Sequence, residues 1–350
     1  MKKKKVLFLY TELAAYTLAC FQKLCELGIE VHVIRYPVNK EAPFIFDDKS
    51  SIHFYERRSL DMNGIGEVIK KIEPSLIVCS GWIDKEYISV CKKNSGNITT
   101  VLVFDNKWKG NWKQLLASIA GKFTISKYFK FAWVPGEVQA KYALKLGFNK
   151  DKIVKGFYSC DQTYFNAYFE KFKKEKAIHF PHRFIFVGRY YDFKGVNELW
   201  KAFIDLKSEN NNDWELWCLG KGDIAPVQHP SIKHFGFVQP DKMENFMKET
   251  GVFVLPSRVE PWGVALHEFA AAGFPLLCSD EVGAAETFLK ENENGFTFTT
   301  NDKNDLKSKL KQFISLSDQE LNRMGDKSNE RSKRITTDTW ADSVLKMIGN

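Results

Sequence analysis

Short apolar runs, each followed by a turn and then a helical stretch, recur along this chain and restrict it to the α/β folds. Gly251-Val252-Phe253-Val254-Leu255 is the clearest of them. Its continuous apolar, β-branched composition reads as a strand buried on both faces of a parallel sheet. Residues 264–272 carry apolar positions 264, 265, 266, 269 and 272, with Gly273 placed to cap a helix and Pro275 to stop it. The unit repeats as a strand at 184–187 and a helix over 196–206, then strands at 214–219 and 233–235 and a helix over 241–249. The first half alternates in the same way, with strands at 6–10, 31–35, 76–79 and 100–104 and helices at 13–27, 64–72 and 84–94. This pattern is Rossmann-like, and 350 residues exceed what one hydrophobic core usually holds, so two such domains are expected.

In sheets of this kind ligands bind outside the carboxyl ends of the strands, so the loops carry the chemistry. After the 251–255 strand come Glu260, Trp262 and Gly263, and Glu268 follows inside the helix. The first N–H groups of that helix, from Gly263, Val264 and Ala265, have no intrahelical acceptor and suit an anion. Eight residues separate the two carboxylates, about 12 Å at the helical rise. That length fits a nucleoside diphosphate sugar, with hydroxyls for Glu260 and Glu268 at either end and phosphate between. A helix cap and a solvated helix residue fit the same two carboxylates equally well. The 184–187 strand runs into Gly188-Arg189-Tyr190-Tyr191-Asp192-Phe193-Lys194-Gly195, where a planar guanidinium and a mobile ammonium share one loop, as a diphosphate requires.

These segments resemble the retaining GT-B glycosyltransferases, specifically glycosyltransferase family 4, also described as glycosyl transferases group 1. Pro256-Ser257, Glu260, Trp262-Gly263, Glu268, Ala270-Ala271-Ala272-Gly273 and Pro275 follow the family's E-x7-E motif in order. Gly283-Ala284-Ala285-Glu286 and Asn294-Gly295-Phe296 resemble two later landmarks of the family, and Gly188 to Gly195 its G-R-x4-K-G pattern. The resemblance implies a GT-B fold in which Arg189 and Lys194 bind the donor diphosphate and stabilise its developing charge. Glu260 then holds the sugar and Glu268 the ribose, while Gly188, Trp262 and the 263–265 amides line the donor. Main chain near Gly236-Phe237-Val238 meets the nucleobase. The first loop, Thr11-Glu12-Leu13-Ala14-Ala15, lacks the glycine pair common in the family, so its contact with the donor is open. Ser159 to Phe165 resembles the family's interdomain segment. The expected domains are 1–165 on the acceptor side, 166–335 on the donor side, and a terminal helix in 336–350 that returns to the first.

The implied activity is sugar transfer to a glycan or lipid-linked acceptor, in cell-surface polysaccharide synthesis. No D-x-D occurs, so neither a metal nor a cofactor is expected, and G-x-G-x-x-G is absent from the first loop. A nucleotide-sugar epimerase, a sugar phosphorylase and a non-enzymatic nucleic-acid binder compete with this reading. None of the three explains both the basic and the acidic motif, and nucleic acid is not an expected partner. Asp105, Trp82 and Trp108 follow strands of the first half. Asp105 could orient or deprotonate an acceptor hydroxyl, or serve a turn; the two indoles could stack on sugar, or pack.

Charge is unevenly placed. Residues 101–150 hold nine Lys and Arg against two Asp and Glu, whereas residues 251–300 hold two against seven. Within 107–133, lysines alternate with aromatics, the composition of a surface that meets anionic lipid. A solvated basic face with its aromatics turned inward has the same composition. The N-terminal Lys2 to Lys5 precede an apolar run of five residues, which reads as a first strand and not a signal peptide. Seven scattered cysteines without C-x-x-C spacing point to a reducing cytoplasm, with contact at the inner membrane face as the accompanying expectation.

Overall fold

The computed structural model describes residues 3–37, 52–209 and 212–349. By its internal contacts the chain divides into two compact units, residues 1–159 with 335–350, and residues 160–334. Each is built on one sheet in which every strand pair is parallel.

In the first unit the strands are β1 (Lys5–Tyr10), β2 (Glu30–Arg35), β3 (Ile52–Glu56), β4 (Leu76–Ser80), β5 (Thr99–Val103), β6 (Phe131–Val134) and β7 (Ile153–Lys155), ordered 3-2-1-4-5-6-7. Two cores cover its faces. One gathers β1 and β2 with the helix Ala15–Glu26 and the terminal helix Thr337–Gly349. Trp340 anchors that last helix: its Nε1 donates to the carbonyl of Phe157 at 2.7 Å, and its ring packs against Trp133 and Phe8. The opposite core holds Ile65, Ile69 and Ile72 of helix Met62–Ile72, with Tyr87, Val90 and Cys91 of helix Lys85–Asn94. Asp84 caps the second of these helices, accepting from the amides of Glu86 and Tyr87, and also receives Arg57.

The second unit has β8 (Arg183–Val187), β9 (Glu215–Leu219), β10 (Ile232–Gly236), β11 (Val252–Leu255), β12 (Leu276–Ser279) and β13 (Gly295–Phe298) in the order 10-9-8-11-12-13. The β8 and β11 strands are neighbours at the centre, and the order reverses between them. The loops leaving these two strands therefore lie side by side at the switch point, where open α/β sheets bind ligands.

Strand boundaries read from the sequence hold to within a residue or two. Five strands escape a reading based on apolar runs: the edge strands β3, β7 and β13, which are short or partly polar, and the interior strands β6 and β12, which have only four residues each. The reading of 107–133 as a surface in which lysines alternate with aromatics needs correction at its end. Phe129, Phe131 and Trp133 are buried, the last two in β6, and only the segment before them is surface.

Candidate functional site

In the second unit, the loop after β8 ends in a short 3-10 turn, Asp192–Lys194, before helix Val196–Glu209. The loop after β11 runs from Pro256 to Gly263 before helix Val264–Ala271. The two are interlocked. The Phe193 carbonyl accepts the amides of Arg258 and Val259, and the Arg258 guanidinium bridges Asp192, at 2.7 Å, and Glu198. Gly195, at φ 67°, sits where an added Cβ would stand 1.9 Å from the Pro256 carbonyl oxygen, so no other residue lets the loops approach this closely.

This interlock brings Lys194 to Glu260. The Lys194 Nζ donates to Glu260 Oε2 at 2.5 Å, and Ser257 Oγ donates to the same oxygen at 3.1 Å. The carboxylate is only 12% exposed and the ammonium 17%. Glu260 Oε1 has no hydrogen-bond partner among the described residues, so one carboxylate oxygen is fixed and the other is open. The main chain of Glu260 and Trp262 is held by the amides of Gly283 and Ala284, at 3.2 and 2.9 Å, which gives the Gly283-Ala284-Ala285-Glu286 landmark a physical role.

Gly263 caps helix Val264–Ala271 in a left-handed conformation, φ 96°, with no side chain over the helix start. Among the described residues no acceptor meets the amides of Gly263, Val264 and Ala265. Three N–H groups and the positive end of the helix are thus left for an anion. Trp262 is buried with its ring packed against Phe288. Glu268 is half-buried and accepts no side-chain hydrogen bond from a described residue. Burial, with the neighbouring Asp161 carboxylate adding to it, pushes the Glu268 carboxyl up to about 7. His267 next to it is structural: its Nδ1 accepts the Cys160 amide at 3.2 Å, and its Nε2 donates to the Ser332 carbonyl at 2.9 Å.

Arg189 lies earlier on the same loop, half-buried, with its guanidinium 5.5 Å from the Tyr191 ring centroid. Gly188 opens that loop, its amide bonded to Leu219 O. Gly236, Phe237 and Val238 leave the end of β10, and Phe237 is half-buried.

Of the residues read as acceptor-side, all lie in the first unit. Asp105 accepts a hydrogen bond from Tyr158 at 3.3 Å. Trp82 and Trp108 both pack on Tyr142, with ring centroids 6.1 and 5.5 Å away. In the same unit, helix Trp112–Phe123 is inverted. Its buried side is Ser118 and Gly121, the latter close on Leu146, while Trp112, Leu115, Leu116, Ile119 and Phe123 are exposed. At about 100° per residue those five fall within roughly a quarter of the helix circumference, and Lys113 and Lys122 flank them on opposite sides. Sequence reading missed the roles of Ser257, Arg258 and Asp192. The Pro-Ser-Arg run and the acidic residue before Phe193 were the available signals.

The sequence model of the family described as Glycosyl transferases group 1 matches residues 168–331, within the second unit. That stretch, just under half of the chain, is similar to the glycosyl transferases group 1. An uncharacterized glycosyltransferase of Methanocaldococcus jannaschii is 27% identical over 166 residues, 47% of this chain and 46% of that protein. The chain therefore spans about half the length of that relative. The N,N'-diacetylbacillosaminyl-diphospho-undecaprenol alpha-1,3-N-acetylgalactosaminyltransferase of Campylobacter jejuni is 23% identical over 313 residues, 86% of this chain and 80% of that one. Among solved structures, Anabaena HepE in complex with UDP and glucose superposes with a TM-score of 0.72 at 13% identity, covering 99% of each chain. That likeness gives the chain a GT-B fold. Asp192, Glu198 and Arg258, which join the loop pair, and Ser257, which holds Glu260, all fall inside the family match.

The raised Glu268 carboxyl has a consequence for stability. Protonation stabilises the fold fully below the ordinary value of 4.5, and that contribution is lost as pH rises through about 7. Urea unfolding should show Glu268→Gln gaining on the wild type as pH climbs across this window; a difference that stays constant would contradict the assignment.

Proposed function

We propose that this protein transfers a sugar, with retention of anomeric configuration, from a nucleoside diphosphate sugar to a glycan or lipid-linked acceptor. The observation that carries the reading is the Lys194–Glu260 pair beside the uncapped helix start at Gly263. As the sugar–phosphate bond breaks, negative charge accumulates on the leaving diphosphate. The amides of Gly263, Val264 and Ala265, the guanidinium of Arg189 and the remaining N–H bonds of Lys194 oppose that charge without reorganising. Glu260 is tied by Lys194 and Ser257 through one oxygen, which makes it an acceptor for sugar hydroxyls and a poor nucleophile. Glu268 takes the ribose diol, whose hydroxyls replace the water a half-buried carboxylate lacks. In this scheme the electrostatic work is done by side chains and helix, with no metal.

A uridine nucleotide is the first donor to test, because HepE was solved with UDP and glucose. A polyprenol-linked acceptor is favoured by the name of the Campylobacter relative and by the exposed apolar row of helix Trp112–Phe123 with its flanking lysines. Such a row buried in the headgroup region, with lysines at its margins, suits a peripheral protein at an anionic membrane. No helix among the described residues is long and apolar enough to cross one. Asp105 remains the proposed acceptor-side carboxylate, reached through its Tyr158 contact.

With calorimetry used to select among UDP-, GDP-, ADP- and CMP-sugars, Arg189→Ala, Lys194→Ala and Glu260→Gln should each lower kcat/KM by about a hundredfold or more. Near wild-type turnover in a folded Lys194→Ala would contradict the reading. The wild type should sediment with phosphatidylglycerol vesicles at low salt and Leu116→Glu should not; wild type left in the supernatant would refute membrane contact.

A further inference from the structure

The carboxyl ends of the strands in the first unit carry the loops discussed above. The amino ends of its outer strands, on the opposite edge, gather a different set of groups. Glu30 and His32 stand two apart on β2 and so project from one face of the sheet. His53 on β3 is the register partner of His32. One ligand atom from each of the three lies within 4.8 Å of the other two. His32 Nε2 is 2.8 Å from Glu30 Oε1, and the rings of His32 and His53 stack with centroids 4.6 Å apart.

We propose that Glu30, His32 and His53 form a binding site for a zinc-type divalent ion, with two imidazole nitrogens and one carboxylate oxygen as ligands and water completing the shell. Three observations favour a ligand set over a simple ion pair. First, the far nitrogen of His32 is engaged: its Nδ1 meets Tyr55 OH at 3.1 Å, which orients the ring so that Nε2 faces Glu30. An outer hydrogen bond of this kind sets ring orientation and basicity in metal-bound histidines. Second, His32 is buried, so packing holds its ring in place and keeps Nε2 turned to Glu30. Third, His53 is exposed and can rotate. Ligand atoms around a tetrahedral ion lie ~3.3 Å apart, so a modest turn of that ring away from stacking closes the chelate. Lys5, 3.9 Å from Glu30 Oε1, is displaced outward when the ion enters. Bound metal would fasten the edge strand β3 to β2, far along the sheet from the loop edge.

The test uses full-length protein stripped with chelator and titrated with Zn2+ alone. One equivalent should bind, and His53→Ala, an exposed position that leaves the fold intact, should weaken binding at least tenfold. Zinc should raise the melting temperature of the wild type more than that of His53→Ala. Equal affinity in the two proteins, or no zinc retained by the wild type, would overturn the proposal. Seven free cysteines are the competing ligands, six of them buried. The Co2+-substituted protein should therefore lack thiolate charge-transfer absorption, and a strong thiolate band would move the metal to a cysteine and refute the assignment.

Discussion

The grip of Arg258 on Asp192 and Glu198 determines the geometry of everything at the switch point of the second sheet. The two loops it joins leave neighbouring parallel strands, and each alone would be a flexible turn carrying charge. Joined, and closed by two amides on the Phe193 carbonyl with Gly195 seated under Pro256, they form one rigid surface. Lys194 then has a single place to go, against a Glu260 oxygen already held by Ser257. The ion pair is too buried to be incidental and too open on its Oε1 side to be complete. A basic loop and an acidic loop thereby become a single preorganised site, with the helix start at Gly263 between its carboxylates.

The same rigidity explains the state of Glu268. Burial of its carboxyl, with Asp161 nearby, leaves its proton retained to an unusually high pH. The first unit handles its exposed apolar surface in the opposite way. Helix Trp112–Phe123 turns small residues inward and its bulky apolar row outward, an arrangement that costs solvation unless something covers the row.

Much of this was legible before any coordinates. The strand–loop–helix alternation gave both sheets because parallel strands buried on two faces leave unbroken apolar runs, as at 251–255. The two charged loops stood out because Glu260, Glu268, Arg189 and Lys194 combine charge with fixed spacing. What stayed hidden were contacts between segments distant in sequence. Nothing local says that Arg258 meets Glu198, that Tyr158 reaches Asp105, or that Glu30, His32 and His53 converge. Burial misled in both directions within 107–133, since Trp112 and Trp133 look alike in a basic-aromatic stretch. One is two-thirds exposed and the other sits in the core. Trp262 posed the same difficulty, being part of the motif yet buried against Phe288.

Hydrogen–deuterium exchange with and without UDP and with a UDP-sugar tests the central claim directly, because it reads the amides themselves. The account predicts slowed exchange in 188–195 and in 257–268, strongest at Gly263, Val264 and Ala265. Protection confined to other segments, or none at saturating nucleotide, would contradict a donor site built on these two loops.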